Sequence, residues 1–213
     1  MAGELKLSQV AAPSNPASGK DSIFVSNDTP ERVKRVDSGG TVYIFQEHLG
    51  IYLASDYTMT NVNTAQAAFN SPTNGAVTLP TLTAYEFDWQ FWLTSTGTNS
   101  HTWGILFGGT ATLTSGMMVA QAHTAVGNVL GADSSIMSNT LGSTLVVTPA
   151  STSATENVMV RARGIIRINA GGTLIPQVIA SAAPGATPTM KANSFFRMTP
   201  IGSNTVASLG AWS

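Results

Sequence analysis

Between Tyr85 and Thr94 the chain alternates without a break. Tyr85, Phe87, Trp89, Phe91 and Leu93 fall on one side of an extended backbone, and Glu86, Asp88, Gln90, Trp92 and Thr94 on the other. A helical period would scatter the first set around a cylinder, so these ten residues predict a strand with one face in a core. Asn157–Asn169 repeats the pattern. Val158, Val160, Ala162, Gly164, Ile166 and Ile168 share one face, and Arg161, Arg163 and Arg167 share the other with Met159 and Ile165. Two long half-buried strands of this kind commit the chain to sheets.

The remainder agrees with an all-β chain. Twenty glycines and ten prolines interrupt it every few residues, leaving short runs rich in β-branched and aromatic side chains and almost no helical periodicity. His101–Phe107 reads as a strand that turns at Gly108-Gly109 and returns through Thr110–Thr114 as a hairpin. Ala170-Gly171-Gly172 reads as a second hairpin turn, leading into Thr173–Ala182. Ser194–Ile201 follows the loop Ala183–Thr189 as a last strand. About eight strands with turns every ten or so residues predict a β-sandwich or jelly roll.

Residues 1–48 differ in character and are expected to form a separate module, with the sandwich over 49–213. Residues 1–20 read as an extended arm that needs backbone partners from elsewhere. Strands at Ser22–Ser26, Arg32–Asp37 and Thr41–Phe45, separated by Asn27-Asp-Thr-Pro30 and Ser38-Gly39-Gly40, read as a small antiparallel meander. Glu47–Phe69 is ambiguous, with one helical turn at Thr64–Phe69 as one reading.

Charge is unevenly spread. Of 21 charged residues, 11 lie in the first 48 positions and ten in the remaining 165. A soluble monomer carries roughly 25–35 % charged residues on its surface, so the second segment must cover its exterior with hydroxyls and with partner subunits. That predicts an obligate oligomer. A net charge of −1 lacks the basic excess from which nucleic-acid binding is argued. The absence of cysteine removes disulfides, thiolate metal sites and thiol nucleophiles together. No run of about 18 apolar residues occurs, and the start lacks the apolar core of a signal peptide, so no membrane partner is expected.

Two stretches carry a family resemblance. Residues 11–45, with Ala12-Pro-Ser-Asn-Pro-Ala-Ser-Gly-Lys-Asp-Ser-Ile-Phe-Val25 and Arg32-Val-Lys-Arg-Val-Asp-Ser-Gly-Gly-Thr-Val42, resemble an N-terminal module of tailed-bacteriophage structural proteins. Residues 57–213 include Ala65-Gln-Ala-Ala-Phe-Asn70, Leu106-Phe-Gly-Gly-Thr-Ala-Thr-Leu113, Gly171-Gly-Thr-Leu-Ile-Pro-Gln-Val178 and Ser194-Phe-Phe-Arg-Met-Thr-Pro-Ile-Gly-Ser-Asn204. They resemble the jelly roll that ends many phage fibre and decoration proteins, similar in plan to the trimeric C1q/tumour-necrosis-factor fold. The resemblance implies a non-enzymatic homotrimer on the virion exterior, made in the host cytoplasm and attached through residues 1–48 to capsid, neck or tail proteins. A receptor-binding adhesin at a fibre tip, recognising host surface polysaccharide, is the alternative.

Local chemistry is sparse. His48, His101 and His123 lack metal-like spacing, so neither metal nor cofactor is expected, and they read as strand-end or loop residues. Glu86 and Asp88 share a strand face and form a conceivable glycosidase pair. Cross-strand pairing with Arg161, Arg163 and Arg167 is the favoured reading, because no nucleophile, base or orienting triad accompanies them. Left unpaired, the arginines would suit phosphate or an acidic glycan. Trp89 and Trp103 read as core, and Trp92, on the polar face, as a sugar or subunit contact. Trp212 has no assigned face. The Gly-Gly pairs lack a following Gly-Lys-Ser/Thr and are not phosphate loops.

Overall fold

The computed structural model describes residues 9–10, 13–26, 33–36, 38–40, 42–44, 48–71, 73–124, 129–130 and 134–204. The chain divides into two compact units, Met1–Glu47 and His48–Ser213.

The first unit is one small sheet of β1 (Gln9–Val10), β2 (Ser22–Ser26), β3 (Val33–Val36) and β4 (Val42–Ile44), in that order. Strands β2, β3 and β4 form the expected antiparallel meander, with Val25 opposite Val33 and Val36 opposite Val42. The arm finds its backbone partner within the unit: β1 runs parallel to β2, Gln9 beside Val25. Phe24 and Val36 are buried, and Arg35 reaches Asp21 at 2.7 Å. The Asn27–Pro30 turn lies outside the described residues.

The second unit is a two-sheet β structure. Its strands are β5 (Leu49–Tyr52), β6 (Tyr57–Thr58), β7 (Gln66–Ala67), β8 (Val77–Leu79), β9 (Thr83–Ser95), β10 (Trp103–Gly109), β11 (Thr112–Thr124) and β12 (Val129–Leu130), followed by β13 (Ser134–Ser138), β14 (Leu145–Val146), β15 (Glu156–Ala170), β16 (Gly172–Ala180), β17 (Thr189–Met190) and β18 (Phe195–Ser203). The long strands β11, β15, β9 and β18 lie side by side in the larger sheet, with β13 and β12 on β11, β17 and β6 beyond one end of β9, and β5 on β18. Strands β14, β10, β16, β7 and β8 make the smaller sheet. All these ladders are antiparallel.

One core joins the two sheets. Phe87, Trp89 and Phe196 from the larger sheet meet Phe107 from the smaller, with ring centroids 5.2, 6.0 and 5.8 Å from it. Trp89, Ile105, Val160, Ile168 and Leu174 are fully buried around them. The two alternating stretches are β9 and β15, paired in register with Val160 opposite Phe91 and Ala162 opposite Trp89. Gly164 sits on the core side of β15, where a β-carbon would lie 1.9 Å from the Met117 carbonyl oxygen and 2.7 Å from the Phe87 ring. Only glycine lets β11 and β15 approach there.

Two expected hairpins are corrected. Strand β10 pairs with β14 and β16, not with β11, and β15 pairs with β9 and β11, not with β16. Gly108-Gly109 and Gly171-Gly172 are therefore corners at which the chain leaves one sheet for the other. Both corners lie together: Thr110 N and Ala111 N each donate to Thr173 O at 3.0 Å, and Thr110 Oγ1 and Thr173 Oγ1 are 3.1 Å apart. Gly109 has a φ of 120° and passes so near Thr173 O that a β-carbon would sit 2.1 Å from it. Gly39-Gly40 remains a hairpin turn, between β3 and β4. The helical turn read at Thr64–Phe69 is also corrected, because Gln66–Ala67 pairs with Gln177–Val178 as the edge strand β7.

Candidate functional site

The outward face of the larger sheet gathers almost every candidate residue. Alternation on β9 and β15 sends Glu86, Asp88, Gln90 and Trp92, with Met159, Arg161, Arg163 and Ile165, away from the core. Antiparallel register then arranges these side chains in rows across the strands. Met137, Met117, Ile165, Glu86 and Thr199 form one row, and Ser135, Val119, Arg163, Asp88 and Arg197 the next. Gln121, Arg161, Gln90, Phe195 and Tyr52 form a third, and His123, Met159 and Trp92 a fourth. Met137, Met117 and Ile165 thus stand about 20 Å by strand rise from Met159 and Trp92, and Arg161, Arg163, Asp88 and Arg197 lie between these two apolar patches.

The expected ion pairing is realised in part. Asp88 is the hub: Arg197 donates to its Oδ2 at 2.8 Å, and Arg161 Nε lies 3.8 Å from its Oδ1. Arg197 also lies over the Phe195 ring, 5.7 Å from its centroid. Arg167 departs from the expectation and donates from Nε to the Asn204 carbonyl at 2.8 Å, because it stands opposite Ala84 and no carboxylate is in register with it. Glu86 stands opposite Ile165, and among the described residues neither Glu86 nor Arg163 has an ion partner. His48 shares a hydrogen bond of 3.0 Å with Thr199 at the rim.

Two adjoining depressions of about 590 and 550 Å³ mark this face. His48, Glu86, Asp88 and Arg197 line the first; Gln121, Ser134 and Ser135 line the second; Val119, Arg161 and Arg163 belong to both. Glu86 and Asp88 thus share a hollow with three arginines, and both Asp88 oxygens are directed at guanidinium groups. Trp92 is 45 % exposed, its indole N–H donating to the Asn157 side chain, while Trp89 and Trp103 are buried as expected from their strand faces. Trp212 lies outside the described residues.

One buried polar cluster lies outside the candidates read from the sequence. His101, read as a strand-end residue, is buried, with Nε2 2.9 Å from Glu156 Oε2 and Nδ1 2.7 Å from the Asn99 carbonyl. Trp103 donates its indole N–H to the same Glu156 oxygen at 3.0 Å. The partners are 55 and 53 residues apart in sequence, and only the even spacing of His101 and Trp103 on one strand face pointed to an inward histidine. His123 is exposed on β11. Among the described residues no three His, Asp or Glu side chains form a metal-sized cluster.

No protein-family model matches this chain, and no curated protein shows significant similarity to it.

Proposed function

We propose that this protein is a non-enzymatic structural component of the exterior of a tailed-phage virion, a capsid decoration or a head or tail fibre protein. On this reading the second unit is a jelly roll that associates as a homotrimer, and residues 1–48 anchor the trimer to other virion proteins. The observation that carries the reading is where apolar surface remains uncovered. Of nine large hydrophobic side chains exposed among the described residues of the second unit, seven stand on the outward face of the larger sheet: Tyr52, Trp92, Met117, Val119, Met137, Met159 and Ile165. A lone soluble domain rarely leaves such a face open. Two apolar patches on opposite sides of it, Met137 with Met117 and Ile165 and Met159 with Trp92, are what a ring needs, because a heterologous contact joins two different patches of the same subunit.

The first unit supports its anchoring role in the same way. Ile23 and Val33 are 54 % and 43 % exposed on the face opposite Phe24 and Val36, so the small sheet has apolar surface to spare for another protein. Three tethered anchors would multiply a weak contact.

Light scattering of the full chain at micromolar concentration tests the assembly. Three copies of the 22.1 kDa chain are expected, and a single-copy mass would overturn the reading. Deletion of residues 1–45 is expected to leave soluble trimers that no longer join particles. Incorporation of the truncated protein would show that the anchor lies elsewhere.

A second reading, a fibre-tip adhesin for host surface polysaccharide, is favoured by the arginine-lined depressions. Competition of the purified protein with phage adsorption distinguishes it from a purely architectural role.

A further inference from the structure

The second depression has a composition unlike the rest of the face. Two arginines, two serines and a glutamine line it beside Val119 and Ala120, and among the described residues no carboxylate does. Arg163 has no ion partner among the described residues, and Arg161 only approaches Asp88 at 3.8 Å. Two guanidinium forks therefore face a hollow whose described lining carries no opposite charge. Planar, multidentate donors of this kind suit a carboxylate, sulfate or phosphate, and the Ser135 and Gln121 side chains, both exposed on that face, add neutral donors and acceptors of the sort that hydroxyl groups satisfy. The neighbouring depression reverses the chemistry. There the exposed Glu86 offers acceptors for hydroxyl donors, across the shared wall of Val119, Arg161 and Arg163, while Asp88 is engaged by Arg197.

We propose that this trough binds an acidic saccharide, with its anionic group over Arg161 and Arg163 beside Ser135, and a neighbouring sugar unit's hydroxyls donating to Glu86. Each hollow has the volume of a small-ligand site. The trough lies open along the sheet, as a chain of linked sugars requires. Nucleic acid fits less well, because two arginines without a full ion partner on a near-neutral chain do not make the continuous basic track that a phosphate backbone demands. The site deepens the adhesin reading and rests on it for the source of the ligand.

Titration calorimetry of the full chain at low ionic strength tests it, with tetragalacturonate and a heparin tetrasaccharide as probes, and maltotetraose and inorganic phosphate as controls. At least one acidic oligosaccharide is expected to bind, more weakly as salt rises, and maltotetraose not to bind. Arg161→Gln with Arg163→Gln is expected to weaken binding at least tenfold. Ser135→Glu, at an exposed position, is expected to abolish it by placing a carboxylate between intact arginines. Lys191→Gln, remote from the trough, is expected to leave it unchanged. Failure of both acidic probes, or equal binding by the double variant, would overturn the site. Phosphate binding as tight as the oligosaccharide's would overturn the assignment to a saccharide. A change in the double variant's mass by light scattering, without loss of ligand binding, would mark the arginines as subunit contacts and overturn the proposal as well. If neither probe binds while the protein still blocks adsorption, the site is wrong and the adhesin reading survives.

Discussion

Glu156 is a costly side chain to lose. It is 5 % exposed and accepts from both His101 and Trp103, so truncation strands two buried polar groups at once. Glu156→Ala should destabilise the fold by about 3–5 kcal/mol, as removal of one partner from a buried pair does, read from the midpoint of denaturant unfolding. An unchanged midpoint would show that the pair contributes nothing. Asp56 is the opposite case, an exposed carboxylate tying two loops. Lys191 Nζ and Ala192 N donate to it, and they hold its pKa below the ordinary value of 3.8, the lysine hydrogen bond contributing most. A lowered folded value favours the ionised form, so the tie stabilises above 3.8 and is lost as pH falls through the lower folded value. The melting temperature of Asp56→Asn should accordingly lie slightly below that of the parent at neutral pH and converge with it in acid. A gap that persists at pH 2 would refute the assignment.

Gly164 and the two inter-sheet corners set the limits at the scale of elements. A side chain at Gly164 collides with β11 backbone rather than with a movable side chain, so Gly164→Val should cost on the order of 3 kcal/mol by overpacking. Its readout is a drop in the unfolding midpoint, and a neutral outcome would mean that β11 can slide. The alternation of β9 and β15 was legible because each strand has one wet and one dry face, and period two survives any topology. The corners were not legible. A Gly-Gly pair between two strands reads alike whether the next strand pairs with the last or crosses to the facing sheet. The choice is made by remote partners such as Thr173, which meets Thr110 across 63 residues. Gln66–Ala67 was lost for the same reason: two residues carry no period, and their strand exists only because Gln177 and Val178 lie beside them.

At the scale of the whole molecule, the described core cluster of the second unit draws its members from residues 53–198. A fragment beginning at His48 should therefore unfold cooperatively within a few degrees of the full chain by calorimetry. Loss of cooperative folding in that fragment would mean that the first unit completes the domain. The outward apolar patches belong to this scale too. Met117→Lys together with Met137→Lys, both on one exposed row, should lower the mass in light scattering without lowering the monomer's thermal stability. Aggregation or unfolding instead would place those methionines in the fold rather than the interface.

Local chemistry by itself determined that this chain is all β, that Tyr85–Thr94 and Asn157–Asn169 each have a core face, and that Trp89 and Trp103 are interior while Trp92 is not. Those properties follow from side-chain alternation, which depends on near neighbours alone. Tertiary pairing decided which arginine meets which carboxylate, sent Arg167 to Asn204, buried His101 against Glu156 and left Arg163 facing an open hollow. Pairing between segments tens of residues apart, from 37 for Arg167 and Asn204 to 109 for Arg197 and Asp88, fixes these contacts, and no short window of sequence contains it.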